Sequence, residues 1–182
     1  MIRKTLHATI GMSILAVTVA ACGMELTDRE IAQINGEYSP LISALIPACI
    51  STGLGQKADY ANLKALGYQQ RDAILRSGDY FYSTDGNVLF GSKTGINFVP
   101  GEGCTVNVPA DDAKAFHEIG SIWRRALENS GYPDSSDAVS EYSFTVDGTD
   151  FYFLGTKRLS SSPGTGVPIY QTEITYLLKR KR

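Results

Sequence analysis

Hydrophobic residues between positions 27 and 50 recur at the spacing of an α-helix. Thr27 stands before them as an N-cap, and Glu30 three residues later completes a capping box. Pro40 predicts a kink or a break in this helix, and Pro47 predicts its end or a new turn that carries Cys49. The spacing gives the helix one apolar face, formed by Ile31, Ile34, Tyr38, Leu41, Ile42 and Leu45.

After Gly78 the pattern changes from the helical period to the alternation of β-strands. Alternation on both sides of short turns predicts three hairpins, and Cys104 falls on the core-facing side of its strand. Segment 160–166 is predicted to be a polar loop, and segment 71–76 fits either one helical turn or a loop. The predicted strands are 80–82 with 88–90, 96–98 with 104–108, 142–146 with 151–154, and a final strand over 169–178.

Two further helices complete the pattern, a short one over 60–66 and the longest one from about Asp111 to Asn129. Asp111 and Asp112 suit the start of the long helix, because acidic side chains are favourable at the positive end of the helix dipole. The order of elements predicts an α+β fold. It is an antiparallel sheet of about five to seven strands built from hairpins, with two or three helices packed on one face. A single domain over 27–178 is expected.

The N-terminal segment has the features of a secretory signal peptide. Arg3 and Lys4 precede an apolar run over 10–19, which is shorter than the ~20 residues that span a bilayer. The run ends in Val19-Ala20-Ala21-Cys22, which resembles the lipobox of bacterial lipoproteins at every position. The resemblance implies removal of residues 1–21, a diacylglycerol thioether on Cys22 and usually a third acyl chain on its amino group. The alternative is an ordinary signal peptide in which Cys22 is incidental.

The resemblance also predicts where the protein is located and what holds it there. Residues 22–26 form a short tether, and two or more acyl chains hold a protein stably at a membrane. We expect a lipid-anchored protein of the bacterial cell envelope, periplasm-facing or in the outer membrane, with the choice between inner and outer membrane open.

The charge of the mature chain is divided unevenly along the sequence. It carries 15 Lys and Arg against 19 Asp and Glu, a formal net charge of −4, because Arg3 and Lys4 leave with the signal peptide. Segment 179–182 is predicted to be a basic tail, either solvated or in contact with anionic lipid head groups. Without this tail the body has a net charge of −8, which argues against nucleic-acid binding.

Two cysteines remain beside the lipobox cysteine. In an oxidising compartment Cys49 and Cys104 are expected to form a disulfide, with two buried free thiols as the alternative. The helix-borne Cys49, the paired hairpins ending in Gly-Cys104-Thr-Val and the following long helix resemble small cysteine-containing secreted proteins of proteobacteria that have no established activity. The resemblance carries over no functional residue.

The mature sequence contains no recognisable motif of catalysis or metal binding. It has one histidine, His117, so a multi-histidine zinc site is excluded and a Ser-His-Asp mechanism would have to use that residue. Gly-x-Ser-x-Gly and Ser-x-x-Lys motifs are missing. We expect no cofactor and no metal.

These observations favour a protein-binding role over an enzymatic one. The strands are rich in tyrosine, and Tyr80, Tyr82 and Tyr152 are candidates for a partner surface, the alternative being ordinary half-buried sheet residues. The leading hypothesis is a non-enzymatic envelope lipoprotein that binds another protein, as an inhibitor, an immunity factor or an assembly accessory. The alternatives are a carboxylate-based cell-wall hydrolase and a carrier of a small apolar ligand.

Overall fold

The computed structural model describes residues 25–71, 78–83, 94–108, 114–136, 141–162 and 169–181. Within them the chain forms three helices, α1 Asp28–Gly53, α2 Ala61–Ala65 and α3 Phe116–Asn129. The seven strands are β1 Tyr68–Arg71, β2 Asp79–Ser83, β3 Gly95–Val99, β4 Gly103–Val108, β5 Tyr142–Val146, β6 Thr149–Ser162 and β7 Ile169–Arg180.

All seven strands belong to one antiparallel sheet in the order β1-β2-β3-β4-β7-β6-β5. The last strand, β7, therefore lies in the interior of the sheet and joins the first four strands to the β5–β6 hairpin. The helices pack on one face, α1 against β3, β4 and β7, and α3 against α1 and β6. The predicted α+β class and its antiparallel sheet are confirmed.

Helix α1 begins with the predicted capping box. The backbone N–H of Glu30 donates to Thr27 Oγ1 (3.3 Å), and the backbone N–H of Thr27 donates to Glu30 Oε2 (2.9 Å). The prediction that Pro47 ends the helix is wrong, and Pro40 does not divide it, because α1 continues unbroken to Gly53. Both prolines are exposed and lie seven residues apart on the solvent side. Water can therefore satisfy the carbonyls that each proline leaves without an N–H partner.

The core lies between the helices and the sheet. Trp123 of α3 stacks on Phe153 with ring centroids 5.3 Å apart, and Phe153 in turn stacks on Tyr176 at 6.1 Å. Cys49 of α1 and Cys104 of β4 are both fully buried and form a disulfide with a Cα–Cα distance of 5.0 Å. The predicted disulfide is present, and it ties the main helix to the sheet.

Two of the three predicted hairpins are confirmed, β3–β4 and β5–β6. The β5–β6 turn has Asp147 at φ 49° and Gly148 at φ 73°, the left-handed conformations that a two-residue hairpin loop requires. The strand predicted over 88–90 lies outside the described residues, and β2 pairs with β1 and β3. The sequence pattern did not predict β1, because three of its four side chains are exposed and polar.

The prediction that the helix ending at Asn129 is the longest one is wrong, since α1 has 26 residues and α3 has 14. Asp111 and Asp112 lie outside the described residues. Ile119, Trp123 and Leu127 recur at helical spacing on α3 and are buried. The helix therefore contributes one apolar face to the core.

The basic segment at the C-terminus is not a separate tail through residue 181. Lys179 lies in β7, and its Nζ is 3.2 Å from Glu102 Oε2. Lys181 Nζ is 2.9 Å from Glu141 Oε1, and its backbone N–H donates to the carbonyl of Asp150 (2.7 Å). Glu102 and Glu141 form ion pairs with these lysines, and β7 extends to Arg180, beyond the predicted domain end at residue 178.

Candidate functional site

A cleft of about 800 Å³ opens where the end of α1, helix α2 and strand β2 meet. Tyr60, before α2, and Asp79, the first residue of β2, both line this cleft. The Tyr60 hydroxyl donates to Asp79 Oδ2 (2.9 Å), and Gln70 Nε2 of β1 donates to Asp79 Oδ1 (3.0 Å). Each oxygen of the carboxylate thus accepts one hydrogen bond from the protein.

The backbone conformation of Gly78 fixes the position of Asp79. Gly78 has φ 105°, and a Cβ at this residue would lie 1.8 Å from the carbonyl oxygen of Phe98. Only glycine permits this close approach, which lets β2 start opposite the end of β3, with Asp79 paired to Phe98. On the other wall, Asp59 Oδ1 accepts the backbone N–H of Ala61 (2.9 Å) and so fixes the turn into α2.

The phenol of Tyr60 stays protonated over the whole physiological pH range. Partial burial, together with the hydrogen bond to and the negative charge of Asp79, raises the pKa of Tyr60 to about 12. Its ring packs on Phe81 and Phe98, with centroid distances of 4.6 and 4.9 Å. Tyr60 is therefore a rigid, neutral donor in the lining of the cleft. The cleft is lined by the charged side chains of Lys57, Asp59, Lys64 and Asp79.

A second cleft, of about 470 Å³, lies beside β5 and contains carboxylates held by hydrogen bonds. Lys181 and the Ser143 hydroxyl lower the pKa of Glu141. Burial acts to raise the pKa of the nearby Asp134, but hydrogen bonds from the backbone N–H groups of Ser143 and Ser136 lower it overall. A catalytic general acid needs a raised pKa, so these two carboxylates give no support to the hydrolase hypothesis.

The alternating strand residues that point away from the helices form what we call the helix-free face. No helix of the described chain packs on it, and the structure places Tyr80, Tyr82 and Tyr152 there. Tyr80 and Tyr82 lie on β2 and Tyr152 on β6, four strand spacings or about 19 Å away. The half-buried aromatic and aliphatic residues of this face are Tyr80, Tyr82, Val99, Tyr152, Leu154 and Leu177.

Strand register aligns this face in continuous rows. One row crosses five strands, and its members are Tyr80, Asn97, Thr105, Leu177 and Leu154. At the second position of this row, the side-chain oxygen of Asn97 is buried and has no hydrogen-bond partner in the described part of the chain. The Tyr82 hydroxyl donates to Gln69 Oε1 (3.0 Å), and the Arg71 guanidinium lies 5.4 Å from the Tyr82 ring centroid.

The remaining predicted residues do not assemble into a site. His117 is exposed on α3, and its ring lies edge-on to Phe116 at 5.2 Å. The described residues contain no group of three or more His, Cys, Asp and Glu side chains suited to a metal ion. They also contain no helix with the length and apolar character needed to cross a bilayer. Cys22 lies outside the described residues.

Comparison with protein-family models, with curated proteins and with solved structures finds no match to this chain.

The hydrogen-bond network of Tyr60, Asp79 and Gln70 was not predicted from the sequence. These residues come from three elements and are up to 19 positions apart, and no spacing rule predicts that they meet. One local feature could have indicated this network, namely Gly78-Asp79 just before the predicted strand. A glycine at such a position indicates a close approach of two backbones, and the aspartate places a carboxylate beside it.

Proposed function

We propose that this chain is a lipid-anchored protein of the bacterial cell envelope that binds a partner protein through its helix-free face and catalyses no reaction. The observation that carries the proposal is the face itself, a broad sheet surface of half-buried aromatic and aliphatic side chains that no described helix covers. Sheet faces that carry apolar side chains and are not packed against helices are candidate interaction sites.

The size of the face supports a protein partner. Seven strands span six spacings, about 29 Å. This equals the width of a square patch of ~800 Å², the area that one protein contributes to a standard interface. A small ligand would cover only part of such a surface.

The composition of the face also supports a protein partner. Tyrosine and arginine are enriched among the residues that dominate binding energy, and Arg71, Tyr80 and Tyr82 lie together on β1 and β2.

The predicted anchor determines where the partner is found. Helix α1 begins at Asp28, six residues after Cys22. Six extended residues reach about 20 Å at most, so an acylated Cys22 would hold the sheet close to the membrane surface. We therefore expect the partner to be a membrane-associated or periplasmic envelope protein.

Site-specific photo-crosslinking in cells tests this proposal. Benzoylphenylalanine replaces Tyr82 or Tyr152 on the face, and as controls it replaces Gln33 or His117, which are exposed on the helical side. We expect a light-dependent product of one defined mass from both face positions and none from the helical positions. Products from the helical positions alone, or from none of the four, would contradict the proposal.

A further inference from the structure

We propose that the cleft between α1, α2 and β2 is a second, separate binding site, and that it takes an uncharged ligand rich in hydroxyl groups, of the oligosaccharide class. Its volume of about 800 Å³ lies within the range of ~300–1,000 Å³ that is typical of small-ligand sites. The cleft is lined by residues of the helical side and the β1–β2 edge, so it is distinct from the helix-free face.

The charges of the lining exclude strongly charged and purely apolar ligands. Two lysines and two aspartates line the cleft, Lys57 and Lys64 against Asp59 and Asp79, so its formal charge is zero. An anion would lie near two carboxylates, and a cation near two ammonium groups. An apolar ligand would remove water from four charged groups without replacing their hydrogen bonds, which is unfavourable.

The arrangement around Asp79 matches neighbouring hydroxyl groups. An ionised carboxylate offers about four lone-pair positions, and among the described residues Tyr60 and Gln70 use one on each oxygen. With respect to these residues one position on each oxygen remains for a ligand, and two such acceptors on one carboxylate suit hydroxyls on adjacent carbons. Gln56 and Gln70 add amide groups that both donate and accept.

Tyr60 gives the site a rigid surface. Its ring is fixed by Phe81 and Phe98, and its hydroxyl is fixed by Asp79. Groups already held in place before binding lose little conformational freedom when a ligand arrives. The half-buried ring thus lies among apolar rings and beside the polar groups of Asp79 and Gln70, and a sugar ring with its apolar and hydroxyl-bearing sides suits such a combination.

The test measures binding of two uncharged probes, tetra-N-acetylchitotetraose and maltotetraose, to the detergent-solubilised full chain by saturation-transfer NMR and calorimetry. Ala61 is exposed and lines the cleft, whereas Ala65 is exposed at the other end of α2 and does not line it. We expect Ala61→Trp to weaken binding of a probe by at least about tenfold and Ala65→Trp to leave it unchanged. Asp79→Asn, which keeps the shape of the side chain, should also weaken binding.

Three results would overturn this inference. The first is that the wild-type chain binds neither saccharide up to about 10 mM. The second is that Ala61→Trp and Asp79→Asn, both folded by circular dichroism, bind a probe as tightly as wild type. The third is that tetra-alanine competes as well as the saccharides, which would indicate a peptide site. Face variants at Tyr82 and Tyr152 are expected to keep saccharide binding, so this test and the crosslinking test fail independently.

Discussion

At the scale of single residues, the backbone at the start of β4 depends on a glycine. Gly103 has φ 115°, and a Cβ there would lie 2.3 Å from the carbonyl oxygen of Leu178 on β7. The adjacent Cys104 is bonded to α1, so the strand cannot move away without disturbing the disulfide. Both the backbone conformation and the lack of space therefore require glycine.

Gly103→Ala should destabilise the fold by about 2–4 kcal/mol, because a strained φ and a backbone clash act together. Gly101→Ala is the matched control, since Gly101 has φ 77° but open space around its Cβ position. Its expected cost is only about 1 kcal/mol. Urea unfolding of both variants checks the difference, and equal costs would show that the clash with Leu178 is relieved at no energetic cost.

Asp79 is expected to control the ionisation of Tyr60. Burial, the hydrogen bond to Asp79 and its charge raise the pKa of Tyr60 to about 12, so Asp79→Asn should lower that pKa while burial keeps it above 10. Because the folded state keeps this proton longer than the unfolded state, wild-type stability should fall as pH rises from 10 to 12, and the variant should lose less.

Carbon-13 NMR of the tyrosine ring carbons measures this effect directly. Tyr142 is an internal control, because burial and the charges of Glu128 and Asp134 raise its pKa to about 12 independently of Asp79. If the Tyr60 pKa in Asp79→Asn equals that in wild type, Asp79 does not raise it. If the pKa values of Tyr60 and Tyr142 fall together, the change is not specific to the Tyr60–Asp79 contact. Either result would contradict the assigned role of Asp79.

At the scale of elements, the disulfide is the covalent link between the helical layer and the sheet. It joins α1 to β4 across 55 residues of sequence. The chain-entropy model gives a stabilisation of about 4 kcal/mol for a loop of this length. The double variant Cys49→Ala/Cys104→Ala should therefore lose about 3–4 kcal/mol in urea unfolding.

Reduction of the wild-type protein provides a comparison for the double variant. Reduction removes the cross-link without deleting any side-chain heavy atoms. The reduced wild-type protein and the double variant should therefore lose similar stability if loop closure is the main contribution of the disulfide to the free energy of unfolding. A loss below about 1 kcal/mol in both would mean that packing of α1 alone holds the two layers together.

The elements that the sequence predicted correctly are those with a strong local signal. The capping box at Thr27, the Asp147-Gly148 turn and the alternation around Cys104 each depend on residues close in sequence. The prolines of α1 misled the prediction, because a proline costs about 3 kcal/mol in an isolated helix. Twelve buried residues hold α1 in place, and exposure of Pro40 and Pro47 leaves the freed carbonyls to water.

Other elements were missed because their position depends on partners distant in sequence. Strand β1 carries exposed polar side chains and gains its hydrogen bonds from β2. Strand β7 continues through Lys179, which pairs with Gly103 of β4 and whose charge is compensated by Glu102. Neither effect is visible in the local pattern, which therefore predicted no strand over 68–71 and a basic tail from residue 179.

At the scale of the whole molecule, the sheet order brings distant residues onto shared surfaces. Alternation alone predicted that Tyr80 and Tyr82 share a side, but only the order β1-β2-β3-β4-β7-β6-β5 gives their distance from Tyr152. The cleft that contains Tyr60 and Asp79 combines parts of α1, α2, β1 and β2. Sequence could therefore predict one candidate surface in outline, whereas the cleft required the three-dimensional structure.

A disulfide-closed domain held at a membrane by acyl chains on Cys22 is the central claim. The intact mass of the natively expressed protein, before and after reduction and alkylation, tests this claim most directly. We predict a mass that lacks residues 1–21, carries acyl chains, and shows Cys49 and Cys104 alkylated only after reduction. An unacylated mass with two freely reactive thiols would contradict both the anchor and the cross-link.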